Sequence, residues 1–140
     1  MNSYNRLLTT AALAVAALCL ARPALAGPPL LCEPFAIGSA TSLPMGTGSW
    51  RALDPKYDVS HLVEDTLAIL APSTPLTVRM ETLRRAAIYA AEHPQMAAPL
   101  LRALDDRSKA KVYWAAFDYG YLVEALREGA PIFKSAVATP

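Results

Sequence analysis

The sequence predicts an all-α protein of about four helices in two consecutive hairpins, and three observations carry this prediction. Apolar residues recur at helical spacing from Asp58 onward. Pro72, Pro94 and Pro131 divide that region into segments of helical length. No run of strand character competes with this pattern. Helices that are joined by short connections pack as antiparallel neighbours, which gives the two hairpins.

The first 26 residues have the pattern of a secretory signal peptide. Arg6 supplies a positive start, residues 7–21 form an apolar run, and Ala24 and Ala26 match an A-x-A cleavage site. The run of about 15 residues is shorter than the ~20 that a membrane-spanning helix needs. We therefore expect cleavage before Gly27, export to the periplasm or the medium, and no membrane association after cleavage.

The charge balance argues against nucleic acid as a partner. Two of the 13 basic residues and none of the 12 acidic residues lie in the signal segment. The mature chain thus has 11 bases against 12 acids, a formal charge of −1. Nucleic-acid binders need a concentrated positive face, and anionic lipids need a polybasic patch. The sequence has neither.

Residues 27–58 are predicted to be irregular or extended. Five prolines and the glycines at 38, 46 and 48 interrupt any regular period. Side chains such as Leu43 and Trp50 are too apolar for a flexible linker. Such a segment either packs along a helical body or awaits a partner. The helical domain is predicted over 59–130, with a short tail over 131–140.

The first predicted helix begins at a cap formed by Asp58 or Ser60 and ends near Leu70, before Pro72. In the second, Thr74 is the expected N-cap and Pro75 the first helical residue. Its expected core positions are Leu76, Met80, Leu83, Ala87 and Ala90 or Ala91. On its flank we expect a favourable i,i+4 pair of Glu81 with Arg85, and we expect Arg84 to be exposed.

A third, short helix is predicted over residues 95–106, bent or restarted near Pro99 because a proline removes a backbone hydrogen bond. The last helix is predicted from Lys109 to Glu128. Ser108 is its expected cap, and Gly129-Ala130-Pro131 is its expected stop.

The last helix is apolar on two sides. One predicted face consists of Val112, Ala115, Ala116, Tyr119, Leu122, Val123 and Leu126. A second, roughly opposite face carries Tyr113, Trp114, Phe117 and Tyr121. Such a helix is either buried between layers or presents an aromatic groove to a peptide or a glycan. The four aromatic residues are the predicted binding residues.

Cys32 is left alone once the signal, with Cys19, is removed. A lone cysteine outside the cytosol is a buried small hydrophobe, a disulfide to a partner protein or a reactive thiol. We favour burial, with the segment around Cys32 lying in extended form across the aromatic face of the last helix.

His61, Glu64 and Asp65 lie at i, i+3 and i+4, so one helical face can present an imidazole and two carboxylates, as metal sites do. Acids in the first turns of a helix are equally expected from its dipole. The sequence contains no phosphate-binding glycine loop, Cys-x-x-Cys pair or haem attachment site. We therefore predict no cofactor and a non-catalytic role in binding or assembly with a protein or peptide partner. The alternative is a small exported enzyme or metal-binding protein that uses His61, Glu64 and Asp65, or Cys32.

Four strings carry a resemblance over most of the mature chain: GPPLLC, IGSATSLP, RMETLRRAAIYA and FDYGYLVEALR. They resemble exported bacterial helical proteins to which no activity is assigned, so the resemblance implies no site residues. In longer members of that group further helices follow, which leaves open whether this chain is a shortened form. Tyr119, Gly120 and Val123 also resemble the Leu-Gly-x-x-Tyr landmark of tetratricopeptide hairpins. No 34-residue repeat accompanies it.

Overall fold

The computed structural model describes Leu31 and residues 33–137, with side chains through residue 128. Within these residues the protein has four α-helices and no strand, as the sequence predicts. The helices are α1 (Leu62–Ile69), α2 (Leu76–Glu92), α3 (Ala97–Lys109) and α4 (Ala115–Val137), and two 3₁₀ turns, Val59–His61 and Pro94–Met96, precede α1 and α3. The predicted signal peptide and Cys32 lie outside the described residues.

Asp58, one of the two predicted caps, caps the 3₁₀ turn before α1, whereas the N-cap of α1 itself is His61, which makes no side-chain capping bond. The Asp58 carboxylate accepts hydrogen bonds from the backbone N–H and the hydroxyl of Ser60, at 3.0 and 2.7 Å. This bond begins the 3₁₀ turn that leads into α1. Further along, Thr66 is buried and its hydroxyl donates to the Leu62 carbonyl at 2.6 Å. Its hydroxyl is therefore satisfied inside the helix.

The predicted cap of α2 is wrong by one residue. Pro75 is the N-cap, with φ −56° and ψ 146°, and the helix begins at Leu76. The Thr74 hydroxyl instead donates to the Ile69 carbonyl at 2.5 Å. Thr74 thus satisfies a carbonyl that the end of α1 leaves free, so its hydroxyl is not used to cap α2.

The predicted restart at Pro99 is wrong, because Pro99 does not interrupt α3. It is the third residue of the helix. The first N–H groups of a helix have no acceptor within it, so a proline in the first turn removes no helical hydrogen bond. The helix therefore runs without interruption to Lys109.

The predicted limits of the last helix are also wrong. Lys111 and Trp114 adopt φ values of 55° and 69°, and this left-handed backbone separates α3 from α4, which begins at Ala115. The helix then continues through Gly129 and Pro131 to Val137. A proline inside a helix removes one hydrogen bond without always ending it.

The central element is α2, which packs most extensively against α4, while α3 also packs against α4. Leu83, Ala86 and Ala87 are buried at this contact, together with Leu122 and Ala125. The α2 helix is buried on nearly every side along its second half. Leu76, a predicted core residue, is 45 % exposed because it lies in the first turn. Among the described helices, none combines the length and the apolar character needed to cross a bilayer.

The irregular N-terminal segment, here called the strap, comprises Leu31 and residues 33–57. It packs along α2, which agrees with one of the two predicted alternatives. Leu31 and Leu43 are buried in the core, and polar side chains of α2 bond to the strap's main chain. These bonds run from Arg84 to the carbonyls of Leu31 and Trp50, from Arg85 to Leu43, from Tyr89 to Pro44, and from the Phe35 N–H to Glu81. The described strap therefore lies on α2 and leaves Tyr113 largely exposed.

Candidate functional site

The four predicted aromatic residues form one continuous row, here called the aromatic ladder. Ring centroids are 5.2 Å apart between Tyr113 and Trp114, 5.8 Å between Trp114 and Phe117, and 6.0 Å between Phe117 and Tyr121. The first two contacts are edge-to-face, with interplanar angles of 73° and 77°, and the third is tilted by 39°. Edge-to-face pairs are the favoured geometry of neighbouring aromatic rings. The sequence prediction thus places these four residues together correctly.

The ladder runs from the surface into the core. Tyr113 is 69 % exposed, Trp114 and Phe117 are half-buried, and Tyr121 is only 8 % exposed. Burial raises the pKa of Tyr121 to about 12, an effect that Arg84 opposes. Burial was one predicted role of the aromatic face, and it applies to the inner end of the ladder, where Tyr121 belongs to the core. Exposure to a ligand was the other, and the outer end is accessible for it, because Tyr113 lies on the surface.

The second predicted face of the last helix is only partly buried. Ala115 and Leu122 are buried as expected, but Ala116 is exposed. Val112, Tyr119, Val123 and Leu126 are half-buried. The buried side of α4 is instead formed by Ala115, Asp118, Tyr121, Leu122 and Ala125. The buried face of α4 therefore lies closer to Asp118 than the predicted face does, since Asp118 has a partner in the core.

Trp114, which belongs to the ladder and precedes the first residue of α4, has a strained backbone conformation. Its φ of 69° lies in the left-handed region, which a bulky residue adopts rarely. The loop around it is fixed by backbone bonds from Val112 N–H to the Arg107 carbonyl and from Ala115 N–H to the Val112 carbonyl, at 3.1 and 3.0 Å. Such strain costs about 1–3 kcal/mol and is concentrated at functional sites.

A buried ion pair lies beneath Trp114. Arg79 Nη1 is 2.5 Å from Asp118 Oδ2, and both side chains are fully buried. Arg79 Nη2 also donates to the Ala71 carbonyl at 2.6 Å. The guanidinium carbon is 5.9 Å from the centroid of the Trp114 indole, a cation–π distance. The pair therefore links α2, α4 and the inner face of the ladder.

The Arg79–Asp118 pair is incompletely hydrogen-bonded within the described residues. Arg79 Nε and Asp118 Oδ1 are buried there without a hydrogen-bond partner. Burial raises the pKa of Asp118 above its usual value, although the bond from Arg79 acts in the opposite sense. Sequence reasoning missed this pair. The available indication was Asp118, the one charged residue between Val112 and Val123.

A second buried charge cluster lies on α2, where the predicted Glu81–Arg85 pair is confirmed but the predicted exposure of Arg84 is wrong. Arg84, predicted to be exposed, is 2 % exposed, and Glu81 is fully buried. Both Glu81 oxygens accept from Arg84 at 2.8 Å, and Oε1 accepts from Arg85 at 2.6 Å. The Phe35 N–H donates to Glu81 at 3.0 Å. The cluster is buried because the strap covers this side of α2, which helical periodicity alone does not reveal.

The predicted metal ligands do not converge on one point. His61 Nδ1 is 3.9 Å from Glu64 and its Nε2 is 3.8 Å from Asp58, all on the exposed surface. Asp65 faces elsewhere and accepts a hydrogen bond from the Tyr57 hydroxyl at 2.8 Å. Within the described part of the chain, no three His, Cys, Asp or Glu side chains are placed to hold a metal ion.

Comparisons with protein families, curated proteins and solved structures find no match to this chain. Among the described residues, Tyr113 and Leu76 are the large apolar side chains that are exposed to solvent. Tyr113 is the outer end of a row of aromatic rings, whereas Leu76 lies in the first turn of α2. The aromatic ladder is therefore the strongest candidate for a binding surface.

Proposed function

We propose that this protein is an exported, non-catalytic binding protein whose aromatic ladder binds an extended, proline-containing segment of a partner protein. One observation carries the proposal. The exposed Tyr113 ring packs edge-to-face against the ring of Trp114, whose backbone adopts the left-handed conformation at the start of α4. Rigid aromatic side chains lose little conformational entropy on binding and therefore make strong contact residues.

The ring geometry favours a peptide over a glycan. Successive rings from Tyr113 to Phe117 are nearly perpendicular, so their edges and faces alternate along the surface. Alternating edges create notches, and the rings of an extended proline-rich segment fit between aromatic side chains in this way. A sugar ring stacks best on a broad flat face, which a perpendicular neighbour interrupts. An extended proline-containing segment is also preordered, so its binding costs less entropy.

The experiment uses the mature chain with Trp50→Phe, which leaves Trp114 as its one tryptophan. Titration with a ten-residue proline peptide is expected to change the Trp114 emission to saturation. A Gly/Ser peptide of equal length and a glucose hexasaccharide serve as controls, and we expect neither to produce the change. Saturable binding of the hexasaccharide instead of the proline peptide would show that the ligand class is wrong.

Variants localise the binding surface. Tyr113→Ala in the same background is expected to weaken binding by about tenfold or more, the size of an interface anchor. Leu76→Ala is the matched control, because Leu76 is also an exposed apolar residue but lies outside the ladder. Equal binding by the two variants would remove the ladder as the contact surface.

Export and the fate of Cys32 have separate tests. N-terminal sequencing of protein recovered outside the cytoplasm is expected to begin at Gly27, and a product that retains Met1 contradicts the signal-peptide prediction. If Cys32 forms a disulfide with a partner protein, the two chains migrate as one larger band on a non-reducing gel and separate after reduction.

A further inference from the structure

A groove separates the strap from α1 and continues to the start of α2. It consists of two adjoining depressions of about 240 and 400 Å³, which share Thr41, Ala68 and Ile69 in their lining. Leu43 and Pro44 close one end of the groove, and Pro75 and Val78 close the other. Most of the lining is apolar, as in sites for small molecules. The aromatic ladder contributes no residue to it.

One charged side chain faces this apolar groove. Asp65 lines the smaller depression, and none of the other lining residues of either depression is ionisable. Its Oδ2 accepts a hydrogen bond of 2.8 Å from the Tyr57 hydroxyl. The Tyr57 ring packs against Tyr89, with centroids 4.9 Å apart. The carboxylate is therefore held in place at one end of the groove by a side chain that the core fixes.

Acidic and basic side chains both lie near this end of the groove, where Arg85 donates to the carbonyl of Leu43, a residue of the lining. The α1 helix carries Glu64 and Asp65 in its first turn and no basic residue in its last turn. Asp58 precedes the helix, and the nearby His61 lies between Asp58 and Glu64 at 3.8 and 3.9 Å. Asp65 is nonetheless the one ionisable side chain among the lining residues, so a cation that enters the groove meets an opposite charge there and an anion does not.

We infer that the groove binds a small apolar amine, with the ammonium group on Asp65 and the carbon chain along Ala68 and Ile69. The inference rests on two features of the groove: an anionic group at one end, and apolar walls that enclose a limited volume. Pockets for small ligands occupy about 300–1,000 Å³, so the groove suits a short chain. A charge-assisted hydrogen bond to Asp65 supplies orientation, and burial of the carbon chain supplies affinity.

The test compares three probes with the same six-carbon chain: hexylamine, 1-hexanol and hexanoate. Each is titrated into the isotope-labelled mature protein while the backbone amides of Ala68 and Ile69 are followed by NMR. Hexylamine is expected to shift these amides to saturation and to bind at least about tenfold more tightly than the other two, a difference of ~1.4 kcal/mol. Equal binding of hexylamine and 1-hexanol, or no binding of hexylamine, overturns the inference.

Two neighbouring carboxylates give a matched pair of variants. Asp65→Asn is expected to weaken hexylamine binding by about tenfold, again ~1.4 kcal/mol, and to leave 1-hexanol binding unchanged. Glu64→Gln removes the same charge from the adjacent residue, whose side chain is 84 % exposed, and is expected to leave hexylamine binding within twofold. If both variants weaken binding equally, the effect is general attraction to the acidic surface and the Asp65 site is wrong.

A third variant tests the place of the carbon chain independently of charge. Ala68 is exposed at the groove, so Ala68→Leu fills it without disturbing the core. Both hexylamine and 1-hexanol are expected to lose binding. Unchanged hexylamine binding in a folded Ala68→Leu protein overturns the placement. Tyr113→Ala is expected to leave amine binding unchanged, so this test is independent of the aromatic ladder.

Discussion

Arg79 of α2 and Asp118 of α4 form an ion pair in which both side chains are fully buried, with Nη1 2.5 Å from Oδ2. A buried charge that loses its partner is strongly destabilising, because its desolvation is no longer offset. We therefore expect Asp118→Ala to lower the free energy of unfolding by about 3–5 kcal/mol. Urea denaturation of the purified protein and the variant measures this loss.

The control for this pair lies on the same helix. Arg127 is exposed and pairs with Glu124 at 3.0 Å on the surface. Surface ion pairs contribute little, so Arg127→Ala is expected to change stability by no more than about 0.5 kcal/mol. If Asp118→Ala and Arg127→Ala show losses of equal size, the Arg79–Asp118 pair is not buried in solution.

Leu83 and Leu76 provide the same substitution at two positions of α2. Leu83 is fully buried in the core, whereas Leu76 is 45 % exposed. Leu83→Ala is expected to lower the free energy of unfolding by about 2–5 kcal/mol, since it leaves a cavity. Leu76→Ala is expected to change it by only about 0.5 kcal/mol, as at other surface positions. A larger loss at Leu76 than at Leu83 in denaturant melts would contradict the burial of these two positions in the structure.

The fold was predictable from the sequence because apolar spacing and proline positions are local signals. The helical spacing of Leu62, Thr66, Ile69 and Leu70 predicts one buried face, and in the structure all four are buried except Ile69, which is half-buried. The four aromatic residues of the ladder also lie close enough along the chain to be grouped correctly. These successes rest on contacts within one helix or across one turn.

The buried charges were not predictable in the same way. The sequence prediction places Arg84 on the solvent side, because charged residues are rarely buried without a partner, and it makes no assignment for Arg79. Distant residues take part in this burial: Asp118 lies 39 residues from Arg79, and Leu31 lies 53 residues from Arg84, although Glu81, which pairs with Arg84, is only three residues away. Only the packing of the strap and of α4 against α2 shows that these side chains are buried.

Two glycines are expected to respond to alanine in opposite directions. A Cβ atom at Gly46 would lie 2.6 Å from the Leu53 carbonyl oxygen, a backbone atom that cannot move away easily. Gly120 lies inside α4, and a Cβ there has no atom within 4 Å apart from its own helix and neighbours. Gly46→Ala is therefore expected to destabilise the protein by about 1–3 kcal/mol, as overpacking does. Gly120→Ala is expected to stabilise it by about 0.5–1 kcal/mol, because alanine favours a helix.

Thermal denaturation followed by circular dichroism distinguishes the two glycine variants. A lower midpoint is expected for Gly46→Ala and a higher one for Gly120→Ala, relative to the parent chain. An unchanged midpoint for Gly46→Ala would mean that the strap does not approach itself closely between Gly46 and Leu53 in solution.

Glu81 makes the attachment of the strap dependent on pH. Burial alone raises the pKa of a carboxyl group, but hydrogen bonds from Arg84, Arg85 and the Phe35 N–H outweigh burial and lower the pKa of Glu81. An unfolded glutamate titrates near pH ~4.3. Because the folded pKa lies lower, the unfolded chain takes up the proton first as the pH falls. The stability that ionised Glu81 contributes is thus present above about pH 4.3 and is lost as the pH drops through the folded pKa.

The Glu81→Gln variant isolates this contribution. The free energy of unfolding of the parent is expected to exceed that of the variant most at pH 7, and the difference is expected to shrink as the pH falls toward about 3, below the reference pKa of glutamate. Asp58, with a lowered pKa, and Asp118, with a raised pKa, are present in both proteins, so their effects cancel in the difference. Urea melts at several pH values give this difference directly. If it stays constant from pH 7 to pH 3, Glu81 is not held as an ionised group between Arg84, Arg85 and the strap.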